Sequence, residues 1–163
     1  KILNDIDMEY YDPGSAIYSP DISLEARPDR VYAEDFLRVA KARFFIGHNI
    51  MASTGMGVEW EIASSLNKIC IILHDKNIRV SRMQPSRTIH LSYENFDKEQ
   101  GRFREVFKFL LDFEIGAGFS GEKPILIGFN KKTGEVVDLE NEVYEKFPAE
   151  RIFFKHLGFL CMN

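Results

Sequence analysis

The chain has 163 residues, enough for one domain with a core of its own. Apolar residues make up 45% and charged residues 28%, with 14 phenylalanines, a mix that excludes a disordered or low-complexity protein. A formal charge of −4 argues against a dedicated nucleic-acid surface, yet leaves room for a loop that holds a single phosphate.

The sequence opens at Lys1 with no initiator methionine and no clean first strand, so the true beginning is expected upstream. Lys1–Ile6 reads as the tail of a helix and Met8–Tyr11 as a short strand. Asp12-Pro13-Gly14 then breaks the chain, because proline fixes φ and glycine accepts the turn. Ser15 to Asp29 follows as a long loop, and a loop of that length in a small domain is expected to be functional.

From Arg30 to Ala42 the spacing of Val31, Tyr32, Phe36, Val39 and Ala40 predicts a helix. Phe44-Phe45-Ile46 reads as a buried strand, Gly55 to Asn67 as a second helix, and Lys68 to Leu73 as a second buried strand. Buried apolar strands alternating with helices predict an α/β fold with a parallel sheet covered on both faces. A further helix is expected over Gln100 to Phe113. Lys123–Phe129 and Glu135–Leu139 read as strands flanking the turn Asn130-Lys131-Lys132-Thr133-Gly134. A short helix around Glu142–Phe147 and an apolar terminus, Ile152–Leu160, close the chain. These signals divide it into an α/β unit over 1–115 and a C-terminal hairpin-and-helix extension over 116–163 packed on that unit.

Cys70 and Cys161 do not make a disulfide framework, and Cys70 sits in the apolar run Ile69–Leu73 as a buried thiol. A reducing, cytoplasmic location is expected. No apolar stretch approaches the ~20 residues that span a bilayer, so no membrane partner is expected. His48, His74, His90 and His156 lie apart, with no helical i, i+4 pair and no cysteine cluster, so no metal site is expected. His48 and His74 end predicted strands and read as polar rim residues.

Chemistry concentrates in the run Ser53-Thr54-Gly55-Met56-Gly57-Val58-Glu59-Trp60-Glu61. It follows a buried strand and opens a helix, the place where an open α/β sheet binds ligands. Gly55 and Gly57 let backbone approach a ligand, free amides of the first helical turn can receive a phosphate, and Ser53 adds a hydroxyl. Glu59 shares a helical face with Ile62, Ala63 and Leu66, and a carboxylate there must be paired, hydrogen-bonded or facing a cavity. The bland alternative is a negative charge favouring its helix start. Glu61 reads as a surface residue. On the preceding helix Asp35 falls in line with Val31, Val39 and Ala42, while Glu34 faces solvent. Two semi-buried carboxylates can divide nucleophile and acid roles, whereas an ion pair of Asp35 with Arg38 would be purely structural. Trp60 and Tyr32 are candidates for a base pocket, or simply for the core.

The pattern Ser53-x-Gly55-x-Gly57-x-Glu59, with Ala63 and Asn67-Lys68 before a buried strand, resembles the nucleoside 2-deoxyribosyltransferase superfamily, and within it the 2′-deoxynucleoside 5′-phosphate N-hydrolases. The resemblance spans roughly Ile2 to Phe113 and is densest over Arg30–Met83. It implies a Rossmann-like (flavodoxin-like) fold and a homodimer that completes each site. It implies Glu59 as nucleophile, Asp35 as the acid that positions the sugar or protonates the base, and Ser53 as a 5′-phosphate ligand. Ser81, in Arg79-Val80-Ser81-Arg82-Met83, matches a second phosphate-binding serine that reaches across the dimer, and Arg82 would assist it. Four features depart from the family: the absent first strand with its glycine loop, Arg43 in place of an aspartate, Glu61 in place of a glycine, and a tail from about Gly116 that has no counterpart there.

The activity so implied is cleavage of the base–sugar bond of a small-molecule nucleotide, without metal or organic cofactor. Water as acceptor makes the protein an N-glycosidase; a second base makes it a nucleoside deoxyribosyltransferase. The rival reading is a non-catalytic nucleotide sensor in which Glu59 only holds ribose hydroxyls. A third gives the C-terminal extension the main role, as a protein-interaction element.

Overall fold

The computed structural model describes residues 2–6, 8–12, 28–51, 53–78, 88–121, 123–148 and 151–155. Most of the loop expected over 15–29, together with Ser81, Arg82, His156 and Cys161, lies outside the described residues.

Two sheets form. The first has the order β1-β2-β3-β7, with β1 (Phe44–Asn49), β2 (Ile69–Asp75) and β3 (Thr88–Tyr93) parallel and β7 (Ile152–Lys155) antiparallel on the β3 side. The second is an antiparallel meander of β4 (Phe113–Ser120), β5 (Lys123–Asn130) and β6 (Val136–Asp138). Among the described residues four α-helices complete the fold: α1 (Pro28–Lys41), α2 (Thr54–Ser65), α3 (Phe96–Leu111) and α4 (Leu139–Lys146).

β2 shows why the parallel sheet is covered on both sides. Its alternate residues Ile69, Ile71 and Leu73 enter a core built with Phe103, Val106, Phe107 and Leu110 of α3. The residues between them, Cys70 and Ile72, pack instead with Trp60 and Ala63 of α2, backed by Val39 and Phe45. Side chains alternate across a strand, so one apolar run feeds two helical layers. This is the mainly parallel, Rossmann-like α/β arrangement. The larger core also takes in Leu126, Leu139, Val143, Phe147 and Ile152, so it draws on both 1–115 and 116–163.

Several boundaries move, each for a local reason. α1 begins at Pro28, two residues before the apolar spacing starts, because proline suits the first helical position. α3 begins at Phe96, not Gln100, because the Asn95 side chain accepts the Lys98 amide at 3.1 Å and caps the helix. α4 begins at Leu139 because Asp138 accepts the amides of Glu140 and Asn141. α2 ends at Ser65, and the chain turns through Asn67 at φ 59°, with Lys68 N–H reaching Ala63 O at 2.8 Å. The Asn130–Gly134 turn forms as expected, with Gly134 at φ +76°.

One expectation needs correction, and two strands, β3 and β4, have no counterpart among the predicted elements. Met8–Tyr11 pairs with no strand among the described residues; Met8 N–H bonds Leu3 O at 3.1 Å and the segment runs as coil along a cavity. β3 carries none of the continuous apolar character used to find the other parallel strands, since Thr88, His90 and Ser92 alternate with Ile89, Leu91 and Tyr93. β4 was hidden by Gly116 and Gly118, and the Gly118 position is kept open by Ile127, whose side chain fills the space a Cβ would need. No helix among the described residues is long and apolar enough to cross a membrane.

Candidate active site

A cavity of about 460 Å³ runs along β1 from Phe44 to His48 and reaches the start of α2. β1 contributes Phe44 through His48, α1 contributes Asp35, Arg38 and Val39, α2 contributes Met56 and Glu59, and residues 8–12 form a further wall. The two carboxylates singled out by helical spacing therefore share one cavity. That volume lies within the range of small-molecule pockets, about 300–1,000 Å³.

Gly47 permits this convergence. A Cβ there would stand 2.8 Å from Ile72 Cδ1 and 3.2 Å from Met56 Sδ, so glycine leaves room for these two side-chain ends between β1 and the first turn of α2. Trp60, buried at 5% exposure, anchors the same helix by donating from Nε1 to Thr88 Oγ1 at 3.1 Å. It is a core residue. Tyr32 is 53% exposed, lies tilted against Phe36 and does not line the cavity, so neither aromatic serves as a base pocket wall here.

Glu59 is half-buried, and its pKa is raised first by loss of water and then by the nearby charge of Asp35. Asp35 accepts a hydrogen bond from the Tyr11 hydroxyl at 3.2 Å. Burial and Asp35 together push the Tyr11 phenol up to about 12, so it stays a donor. The Arg38 guanidinium lies over the Tyr11 ring, 5.0 Å from its centroid. Arg38 is paired at 2.6 Å with Glu34, not with Asp35, so the structural ion pair considered for Asp35 does not form and Glu34 is not merely solvated. Glu61 is an exposed residue.

Ser53 is the N-cap of α2: its hydroxyl oxygen accepts the Met56 amide at 3.3 Å, which leaves its own proton to donate outward. Gly57 N–H bonds Ser53 O at 3.1 Å, while the amides of Thr54 and Gly55 stand at the open helix end. Gly55 and Gly57 are exposed, helical and free of positive φ. With Ser53 they sit beside the cavity without lining it. Ser81 and Arg82 fall outside the described residues.

His48, expected as a polar rim residue, lines the cavity; its Nε2 lies 2.7 Å from the Tyr93 hydroxyl and its ring stacks on Phe96 at 4.4 Å. Burial lowers its pKa. His74, by contrast, is buried at 4% exposure and is not on a rim. Arg43 donates to the carbonyls of Leu110 and Leu111 at 3.4 and 3.2 Å, closing the C-terminal end of α3. Cys70 is a buried free thiol whose pKa burial pushes up to about 12. Among the described residues no cluster of three or more His, Cys, Asp or Glu side chains could hold a metal.

No protein-family model matches the chain, and no curated protein matches it. Among solved structures it is similar to the Clostridium botulinum CMP N-glycosidase BcmB, at 17% identity and a TM-score of 0.42, over 47% of this chain and 73% of that one.

Proposed function

We propose that this protein is an N-glycosidase that cleaves the base–sugar bond of a nucleoside 5′-monophosphate or related nucleotide, with Glu59 as nucleophile. The observation that carries the reading is the placement of Glu59 and Asp35 in one cavity beside the capped start of α2. The resemblance of the Ser53–Glu59 run to the deoxyribosyltransferase superfamily supports the same assignment.

Glu59 carboxylate attacks C1′ as the C1′–N bond breaks, and the bonding pair leaves with the base. Asp35 has one oxygen engaged by Tyr11, which orients the carboxyl group so that its second oxygen meets a sugar hydroxyl or the base. Water then opens the sugar ester, releasing the sugar phosphate and returning Glu59. The phosphate rests against the Ser53 hydroxyl and the Thr54 and Gly55 amides, where the helix end is positive. By the same resemblance, Ser81 and Arg82 of a second copy close that end in a homodimer.

The test is incubation with nucleosides, 5′-monophosphates and NAD, with free base followed by chromatography and Glu59→Gln run alongside. Base release that stops in the variant supports the proposal. Release that appears only when a second base is added makes the protein a transferase. Nucleotide binding without release makes it a sensor.

A further inference from the structure

His48 is an aromatic ring clamped at two points. Phe96 stacks on its face at 4.4 Å, and the Tyr93 hydroxyl sits 2.7 Å from Nε2. Both partners are themselves held: Tyr93 belongs to the main core at 7% exposure, and Phe96 packs against that core at the first position of α3. A side chain fixed this firmly at the carboxyl edge of a parallel strand, facing the cavity that holds Glu59 and Asp35, presents one defined atom to whatever enters.

Which atom follows from the hydrogen-bond inventory. A neutral imidazole has one N–H and one bare nitrogen, and the partner of one nitrogen decides the state of the other. The Tyr93 hydroxyl has one proton, and no acceptor for it other than His48 Nε2 is found among the described residues. The nearby carboxylate, Asp75, uses Oδ1 to accept the Asn77 amide and side chain at 2.8 and 3.0 Å. When the Tyr93 hydroxyl donates to Nε2, the imidazole proton sits on Nδ1. Nδ1 has no partner among the described residues.

We propose that Tyr93 fixes His48 as the Nδ1–H tautomer and that this N–H donates a hydrogen bond to the departing base of a nucleotide held in the Glu59 cavity. The inference rests on the N-glycosidase reading above and adds a base-recognition residue to it. A neutral donor suits a carbonyl oxygen or ring nitrogen better than a phosphate, which takes charged donors or helix ends. When the C1′–N pair moves onto the base, that acceptor atom gains negative charge. The hydrogen bond strengthens at that moment, while the proton stays on Nδ1. Tyr93 acts only through His48 and is a positioning residue.

The test combines a tautomer measurement with two amide replacements. Two-bond nitrogen–proton correlation NMR at pH 8 reads which His48 nitrogen carries the proton. It is recorded on the wild type, on Tyr93→Phe, and on Glu59→Gln titrated with the common ribo- and deoxyribonucleoside 5′-monophosphates. We expect the Nδ1–H form in the wild type, mixed tautomers in Tyr93→Phe, and a shift of the Nδ1 resonance on nucleotide addition. His48→Asn places an amide nitrogen near the Nδ1 position, whereas His48→Gln places it near Nε2. Base release should fall roughly 10- to 100-fold in His48→Gln, the scale of a hydrogen bond to a charged group, and by only about threefold in His48→Asn.

An Nε2–H wild type, or equal losses in the two amide variants, overturns the proposal. Base release that depends on Glu59 while Nδ1 ignores the nucleotide overturns the His48 role alone. A shifted Nδ1 with no base release from any nucleotide leaves the His48 contact standing and removes the glycosidase reading. No response and no release removes both.

Discussion

Gly57→Ala separates the two explanations for the glycines at the start of α2. Glycine in a helix interior is destabilising by about 0.5–1 kcal/mol relative to alanine, so its presence needs a reason. Backbone conformation is not that reason, since Gly57 has no positive φ, and packing is not either, since a Cβ built on it meets nothing within 4 Å. Alanine should therefore stabilise the ligand-free protein by ~0.5–1 kcal/mol, which for a chain of this size raises Tm by roughly 1–4 °C. If the missing side chain makes room for a 5′-phosphate, the same variant should lose preference for monophosphates over nucleosides by about tenfold, as a misfit of ~1.4 kcal/mol gives. Differential scanning calorimetry reads the first effect and paired titrations with nucleoside and monophosphate read the second. Gly47→Ala is the contrast: its Cβ would press on Ile72, which is fully buried, and on Met56, so it should destabilise by ~1–3 kcal/mol. A stable Gly57→Ala protein with unchanged phosphate preference would refute the cradle, and a destabilised one would refute the steric reasoning.

Three further outcomes are expected. Glu59→Gln should raise Tm at pH 7–8 although it removes base release: the folded pKa of Glu59 is raised, so its ionised form opposes folding above that pKa. The gain should shrink as pH falls and vanish below the ordinary value of 4.5, and a Tm difference that grows on acidification would contradict the burial argument. In the wild type, kcat/KM should fall as pH drops through the raised Glu59 pKa, and Asp35→Asn should move that limb to lower pH by removing a like charge; an unmoved limb would uncouple the two groups. Trp60→Phe should lose ~1–2 kcal/mol in chemical denaturation, because the Thr88 hydroxyl loses its indole donor and a small void opens; a neutral result would deny Trp60 its anchoring role.

The sequence was most legible where one signal dominated. Continuous apolar runs placed β1 and β2, and helical spacing put Glu59 and Asp35 on inward faces that do meet in one cavity. It was least legible where two demands share a residue. β3 needs hydroxyls and an imidazole on its α2 side, so its apolar residues come only every second position and no run appears. β4 carries Gly118 because its neighbour Ile127 takes the space a Cβ would need there, which helps disguise a strand as a linker. The caps Asn95 and Asp138 were present as signals, and they, not apolar spacing, set the true helix starts. Tyr11 had no local signal at all, since its role depends on a coil meeting a helix 24 residues away. His48 was visible as a strand end, but only the fold supplies the Tyr93 hydroxyl and the Phe96 ring that hold it.

The alternation along β2 divides its mutational sensitivity by parity. Truncating Ile69, Ile71 or Leu73 removes contacts to α3 and lowers global stability while leaving the Glu59 helix seated. Changing Cys70 or Ile72 alters the bed on which Trp60 and Ala63 rest, so the shift reaches Glu59 within one turn of α2. Drift at the first set should register in how much protein survives in a cell, and drift at the second in how fast each surviving molecule works. A single five-residue stretch can thus be retuned for abundance and for turnover separately.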